Sequence, residues 1–178
     1  MKYRTFNLSF CLSLICLFAC MLFAGCAGAR VSSSSRSATA IPSGKIGLAP
    51  GGGVLGDAVG VELFQRGYDI VESTQVKQIV ARVNMAEADI SSQQGLEQLR
   101  KEGIQTLLMV RAAGGLDNLP QSATVRVVNT GTGSTMAAVN WQNGHGGMAG
   151  SMMDRAMRDD VVAAAQKIAD ELSKSLTK

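Results

Sequence analysis

The abrupt change of composition at Cys26 constrains this chain more than any other sequence feature. Lys2 and Arg4 precede residues 8–24, seventeen residues without a charged side chain, and the small pair Ala24-Gly25 then leads to Cys26. A positive end, an apolar stretch and a small-residue cleavage site form a secretory signal in that order. The alternative is a membrane-spanning helix that is retained, and seventeen residues lie at the short end of spanning length.

The composition after the leader excludes several classes of protein. All four cysteines lie within the first 26 residues, so the rest of the chain can form neither a disulfide nor a cysteine-based zinc site. From Cys26 onward, 15 basic side chains stand against 14 acidic ones, a difference of +1. A chain with so small a net charge does not attract nucleic acid or anionic lipid by its overall charge, so this balance excludes such binding as the main function. Only Phe64, Tyr68 and Trp141 are aromatic in this part, too few for a base-stacking platform.

The five residues that end at Cys26, LFAGC, resemble the lipobox of bacterial lipoproteins. That resemblance implies cleavage before Cys26, a diacylglycerol group on its thiol and a further acyl chain, such as palmitate, on its new amine. Phe23 stands where the lipobox usually has leucine, and Cys20 is a competing site. Three acyl chains far exceed the single chain whose membrane binding is marginal, so the anchor would be permanent. Ala27 stands where an aspartate would retain an enterobacterial lipoprotein in the inner membrane, which points to the outer membrane.

Residues 27–43 are small and polar and have no apolar period. They predict a flexible tether with a typical end-to-end distance of about 20–25 Å. The domain map is therefore a lipoprotein signal peptide over 1–25, the lipidated cysteine and tether over 26–43, and one globular domain over 44–178.

The hydrophobic pattern of residues 44–178 predicts alternating strands and helices. Helices are expected from Leu55 to Arg66, after Ser73 or Thr74, after Ser91 or Ser92, and as one long final helix from Met153 through Leu172. The predicted strands are Lys45–Ala49, Tyr68–Glu72, Ile104–Ala112, Thr124–Val128 and Met136–Trp141. The last two flank a turn of Asn, Thr and Gly and must be antiparallel. The expected fold class is α/β (α+β), a single domain with a mixed sheet of about five strands and helices on both faces.

A glycine motif between the first strand and the first helix has two interpretations. Gly51, Gly53 and Gly56 match a dinucleotide fingerprint, and Glu72 follows at the distance of the acidic residue that binds ribose. Export of the unfolded chain, without a twin-arginine pair, disfavours a cofactor. The favoured interpretation is close packing of the helix on the sheet through Gly52, Gly56 and Gly60, with Gly51 and Gly53 relaxing the turn.

No other constellation predicts catalysis, a metal or a cofactor. His145, the only histidine, has no partner motif and is expected on a solvated loop, within a glycine-rich segment, 144–150, that is predicted to be mobile. Asp154 and its charged neighbours up to Asp160 have mixed signs at helical spacing, which is typical of a solvent-exposed helix face. Met148, Met152 and Met153 are the candidate partner surface, because methionine side chains adapt to many shapes.

The order of these segments resembles one superfamily of bacterial lipoproteins. It includes the curli-secretion channel lipoprotein CsgG and the synthase activator LpoB, and its domain is similar to the amino-terminal domain of TolB. The segments that carry the resemblance are Leu63–Glu72, the helix with Val76, Ile79 and Val80, the strand Ile104–Val110, and the hairpin sequence VRVVNTGTG at 125–133.

The resemblance implies a mixed sheet with helices on both sides and no catalytic residues. The expected function is that of an outer-membrane-anchored periplasmic lipoprotein that binds another envelope protein, whose identity the sequence does not give, with no role for nucleic acid. The alternatives are a homo-oligomeric subunit of a secretion-channel-like ring of the CsgG type and, more remotely, a nucleotide-binding protein that uses Gly51, Gly53 and Gly56.

Overall fold

The computed structural model describes residues 26–35, 44–114, 119–148 and 150–176. The chain divides into a small unit, Met1–Gly28 with Gly144–Arg158, and a sheet unit, Ala29–Asn143 with Asp159–Lys178. This division falls inside the range 44–178 that the sequence assigned to one domain. The predicted signal peptide, 1–25, lies outside the described residues. Among the described helices, none combines the length and the hydropathy needed to cross a bilayer.

The strands and helices that the hydrophobic pattern predicts occur in the predicted order, together with further elements that it does not predict. The strands are β1 Cys26–Ala27, β2 Arg30–Ser35, β3 Lys45–Leu48, β4 Ile70–Val71, β5 Ile104–Gly114, β6 Pro120–Asn129, β7 Thr135–Gln142 and β8 His145–Gly146. The helices are α1 Gly53–Gln65, α2 Ser73–Arg82, α3 Gln93–Lys101, α4 Met152–Met157 and α5 Val161–Leu176, with a 3-10 helix at Glu87–Asp89.

The sheet unit contains one mixed sheet with the strand order β2-β7-β6-β5-β3-β4. Strand β3 is parallel to β4 and β5, whereas β5, β6, β7 and β2 are antiparallel to one another. The predicted fold class is confirmed, with six strands where the sequence predicted about five.

The turn between β6 and β7 shows why these strands are antiparallel. The Asn129 side-chain oxygen accepts hydrogen bonds from the amides of Gly131 (2.8 Å) and Thr132 (3.1 Å). Gly133 has φ +68°, a conformation in which glycine has no steric cost. Both strands extend beyond their predicted bounds, to ten and eight residues.

Helices cover both faces of the sheet, as predicted. Helices α1 and α5 pack against β5, β6 and β7 in the larger core, which includes Val59, Leu63, Val125, Trp141, Ile168 and Leu172. Helices α2 and α3 pack against β3 and the first half of β5 in a second core, around Val76, Leu99 and Leu107.

The first difference from the prediction is β2, which occupies part of the expected tether. Arg30 to Ser35 pair with Gln142 to Ala137 of β7, so these six residues form an edge strand. An edge strand is held by backbone hydrogen bonds and needs no apolar alternation on a solvent-exposed face. This is the physical reason why the serine run gave no strand signal.

The second difference is that the long final helix is divided into α4 and α5. Arg158 is extended, with φ −91° and ψ 139°. The Asp159 amide donates a hydrogen bond to the Asn143 side chain (2.8 Å), and the Asp160 carboxylate accepts one from the Ala163 amide (2.8 Å). Asp160 therefore caps a new helix, which periodicity alone does not reveal.

Candidate interaction surfaces

The small unit brings Cys26 and the methionine-rich segment together. Strand β1 pairs antiparallel with β8, so that Cys26 lies opposite Gly146 and Ala27 lies opposite His145. His145 is exposed and lies on a strand, not on the loop that the sequence predicted. No group of three or more His, Cys, Asp or Glu side chains in the described part of the chain is arranged to hold a metal ion.

Asp154 organises the glycine-rich turn of this unit. Its side chain is buried, and its carboxylate accepts hydrogen bonds from the amides of Gly150 (2.8 Å) and Gly146 (3.2 Å) and forms an ion pair with Arg158 (3.0 Å). The Gly150 amide, followed by the Gly146 amide and Arg158, holds the pKa of Asp154 below its usual value, although desolvation acts in the opposite direction. The prediction that Asp154 lies on a solvent-exposed helix face is wrong.

Ser151 closes the same turn from the other side. Its hydroxyl accepts a hydrogen bond from the Asp154 amide (3.1 Å), which caps α4, and donates one to the Gly146 carbonyl (3.2 Å). A side chain at Gly146 would meet the Met153 carbonyl oxygen at 2.7 Å. The segment that was predicted to be a mobile loop therefore contains strand β8 and a turn held by two polar side chains and by tight backbone packing.

Three methionines project from this turn and from the start of α4. Met148 is 83% exposed, Met152 91% and Met153 57%. These are the residues that the sequence proposed as a partner surface, and we call them the methionine surface. The structure places all three in one unit and leaves their apolar side chains open.

The glycine motif lies at the start of α1, where Gly51 and Gly53 have positive φ angles of +89° and +57°. Gly60 is the position of closest packing, because a β-carbon there would lie 2.4 Å from Leu48 Cδ1. At Gly56, by contrast, the nearest atom would be Val110 Cβ at 3.6 Å, an ordinary contact. At Gly52 a β-carbon would lie 3.0 Å from the Gly56 α-carbon. Of the three glycines that the sequence assigned to close packing, Gly60 and Gly52 are therefore tightly packed and Gly56 is not.

Glu72, the predicted ribose ligand, is exposed and lines a groove beside the middle of α1. Asp57 and Phe64 line the same groove, whereas Gly51 lines a different one with Glu87 and Arg111. In a dinucleotide site the acidic residue and the glycine turn face one ligand. The structure does not bring these two parts of the motif to one groove.

The groove beside α1 is a surface that the sequence reasoning missed. It has a volume of about 420 Å³, and its lining includes the apolar residues Leu48, Val61, Phe64 and Ile70 and the acidic residues Asp57 and Glu72. Phe64 is 68% and Val61 55% exposed, although both lie on a helix that is buried on its other side. The sequence did contain a sign of this surface. Helix α1 has apolar residues on more than one face, although only one face is needed to pack against the core.

Comparisons with known proteins give matches of low identity among solved structures. No protein-family model matches the sequence, and no curated protein is significantly similar to it. The PelC dodecamer from Paraburkholderia phytofirmans is 16% identical, over 81% of this chain and 96% of that one, with a TM-score of 0.48. The C-terminal domain of LpoB from Salmonella enterica is 15% identical, over 61% and 87%, with a TM-score of 0.45. TolB from Acinetobacter baumannii is 13% identical, over 84% and 31%, with a TM-score of 0.44.

The three TM-scores are below 0.5, so these similarities carry no argument about what this chain does. LpoB and TolB, to which the sequence resemblance pointed, are among the similar structures, whereas the resemblance to CsgG stays a prediction. Unrelated functions share common folds, so the function has to be argued from the surfaces of this chain.

Proposed function

We propose that this protein is a lipoprotein of the bacterial outer membrane, anchored through Cys26, whose periplasmic part binds another envelope protein without catalysing a reaction. The lipobox-like sequence LFAGC supports the anchor. The methionine surface carries the binding function.

The methionine surface has the properties of a binding site that is prepared in advance. Its side chains are apolar and exposed, and methionine adapts to irregular partner shapes. Its backbone is held by Asp154 and Ser151, which lowers the entropy that a partner must remove on binding. Because β1 pairs with β8, this surface belongs to the same unit as the proposed anchor residue. The partner that fits is therefore a protein at the membrane surface.

The anchor is tested by replacing Cys26 with serine and separating the membranes of the expressing cells. We expect the wild type in the outer-membrane fraction, with a tri-acylated Cys26 as the first residue in mass spectra. We expect Cys26→Ser to leave that fraction. An outer-membrane variant, or a wild-type protein that begins elsewhere without lipid, would exclude the anchor.

The binding surface is tested by affinity capture from envelope membranes with the intact lipidated protein. Met152→Asp should reduce the recovery of the specific partner about tenfold or more, since a charged carboxylate would be desolvated in the interface. The matched control is Val162→Asp, which places the same charge at a 55% exposed apolar residue of α5. Equal recovery with both variants would show that the methionine surface does not bind the partner.

A homo-oligomeric ring is a second candidate, and the groove beside α1 favours it. Exposed Val61 and Phe64 form an apolar surface near β4, which is one edge of the sheet, while β2 is the other edge. In a head-to-tail ring each chain uses two different surfaces, one for each neighbour. The apolar surface near β4 and the edge at β2 are two such surfaces. Phe64→Asp should convert an oligomer to smaller species in light scattering of the detergent-solubilised protein. A wild type that is monomeric at every concentration would exclude the ring.

A further inference from the structure

Three arginines share one side of the sheet. Strands β2, β5, β6 and β7 contain Arg30, Arg111 and Arg126 and no acidic residue. In the register of these strands, Arg111 lies opposite Thr124, Thr124 opposite Asn140 and Asn140 opposite Ser32. Arg126 is two residues from Thr124 and Arg30 is two residues from Ser32, so all three arginines project from the same side. Leu107 and Val128 lie on the same side and are buried in the core with α2 and α3, so the arginines occupy the part that these helices leave open. We call this open part the arginine face.

The arginine face is uncovered in the described part of the structure. All three arginines are exposed, and none forms an ion pair with another described residue. Glu87 lines a groove with Arg111 but is paired with Lys77 at 3.2 Å. From strand spacing, the α-carbons of Arg111 and Arg126 lie about 8 Å apart, and Arg30 lies roughly 16 Å from each.

The chemistry of this face favours a diffuse anionic surface over a protein partner. None of the large exposed apolar side chains of the described residues lies on these four strands. Protein interfaces are centred on buried aromatic or apolar anchors, which this face does not offer. Instead, polar side chains such as Ser32, Thr124 and Gln142 border a groove of about 650 Å³ beside Arg30. The guanidinium group is well suited to phosphate, because it donates two parallel hydrogen bonds.

The proposed anchor brings a phosphate surface within reach. Arg30 is four residue steps after Cys26, and that length of chain spans at most about 14 Å when it is fully extended. Because β2 occupies residues 30–35, the expected tether of 17 residues does not hold the sheet away from the membrane. The short connection therefore keeps Arg30, at one end of the arginine face, within about 14 Å of the proposed anchor residue.

We infer that the arginine face binds the anionic phospholipid headgroups of the membrane in which Cys26 is anchored, and this inference rests on the anchor proposed above. The net charge of +1 after the leader excluded such binding only for the chain as a whole. The fold concentrates three positive charges on one face. A basic side chain close to an anionic membrane contributes about fivefold to the binding constant, so two arginines contribute roughly 25-fold.

The test measures the reactivity of each arginine towards phenylglyoxal in the intact lipidated protein, by peptide mass spectrometry. The protein is reconstituted in vesicles of phosphatidylcholine alone or with 30% phosphatidylglycerol. We expect Arg30, Arg111 and Arg126 to react several-fold more slowly in the anionic vesicles. In 1 M salt the protection should disappear, because the screening length falls to about 3 Å. Arg82, exposed on α2, is the internal control and should react equally in both.

A second comparison uses substitutions on the exposed face. The double variant Arg111→Gln with Arg126→Gln should lower the membrane-binding constant of the face about 25-fold and so remove most of the protection of Arg30, whereas Arg82→Gln should leave that protection unchanged. Equal reactivity in the two kinds of vesicle, or equal protection of Arg82, would overturn the inference. Protection in native envelope membranes but not in anionic vesicles would overturn it too and would assign the face to an acidic protein.

The state of Cys26 is read from the same spectra. If Cys26 carries no lipid, the anchor proposal fails, and the same measurement on the protein mixed with anionic vesicles still decides the arginine face. Protection would then support headgroup binding, and its absence would exclude it. A lipidated Cys26 with unprotected arginines would overturn this inference alone.

Discussion

Replacement of Gly60 by alanine tests the close approach of α1 to the sheet. A β-carbon at Gly60 would lie 2.4 Å from Leu48 Cδ1 and 3.4 Å from the Leu48 Cγ and Cδ2 atoms. Leu48 is itself only 6% exposed and belongs to the larger core, so its side chain must change rotamer or the helix must move. Overpacking of this kind costs about 1–3 kcal/mol of unfolding free energy.

Gly56→Ala is the matched control, since Gly56 lies about one helical turn earlier in the same helix. At Gly56 the new β-carbon makes an ordinary contact of 3.6 Å with Val110. In both variants the helix gains about 1 kcal/mol, because alanine replaces glycine. We therefore expect Gly56→Ala to stabilise the protein by up to about 1 kcal/mol and Gly60→Ala to be about 1–3 kcal/mol less stable than Gly56→Ala.

The assay is urea unfolding followed by the fluorescence of Trp141, the only tryptophan, which is 1% exposed in the larger core. In thermal unfolding, each kcal/mol of difference in unfolding free energy between the two variants corresponds to a difference of roughly 2–4 °C in Tm. A double variant that combines Gly60→Ala with Leu48→Ala should show a favourable coupling energy, because the smaller side chain at 48 removes the clash. If Gly60→Ala is as stable as Gly56→Ala, the argument from close packing is refuted.

The remaining predictions concern the small unit and the glycine motif. The pKa of Asp154 is lowered in the folded state, so its stabilising contribution is present above the usual aspartate value of about 3.9 and is lost as the pH falls through the lowered folded value. The NMR shifts of the Gly146 and Gly150 amides should follow that transition, and a transition at or above the usual aspartate pKa would contradict the hydrogen-bond argument. Asp154→Asn should make residues 144–151 more sensitive to protease at neutral pH. NAD and ATP should leave the Tm of the wild type unchanged, whereas an increase with either would revive the nucleotide-binding interpretation of Gly51 and Gly53.

The sequence was sufficient to predict those parts of the fold that are determined by interactions between residues close together in the chain. The stripe Val76, Ile79 and Val80 predicts α2, and all three side chains are buried. Ser92 caps α3 through the Gly95 amide (3.1 Å), as the sequence suggested for Ser91 or Ser92. The tight turn after Asn129 forced an antiparallel pair and, with it, the mixed sheet. In each case the decisive interactions join residues that are close in sequence, so pattern and turn chemistry contain the answer.

Only the tertiary structure decided the features that join distant residues. The serine run became β2 because β7 offers an unpaired edge to it, a hydrogen-bonding partner more than 100 residues away along the chain. Asp154 is buried because the amides of a glycine turn converge on its carboxylate, although its sequence context is that of a solvent-exposed helix.

The arginine face is the clearest case of this division. Arg30 and Arg111 are 81 residues apart in the sequence, and a net charge of +1 after the leader gives no sign of a basic surface. Strand register alone brings these arginines and Arg126 to one side of the sheet. Composition records how many charges a chain has, whereas the pairing of strands determines which of them act together.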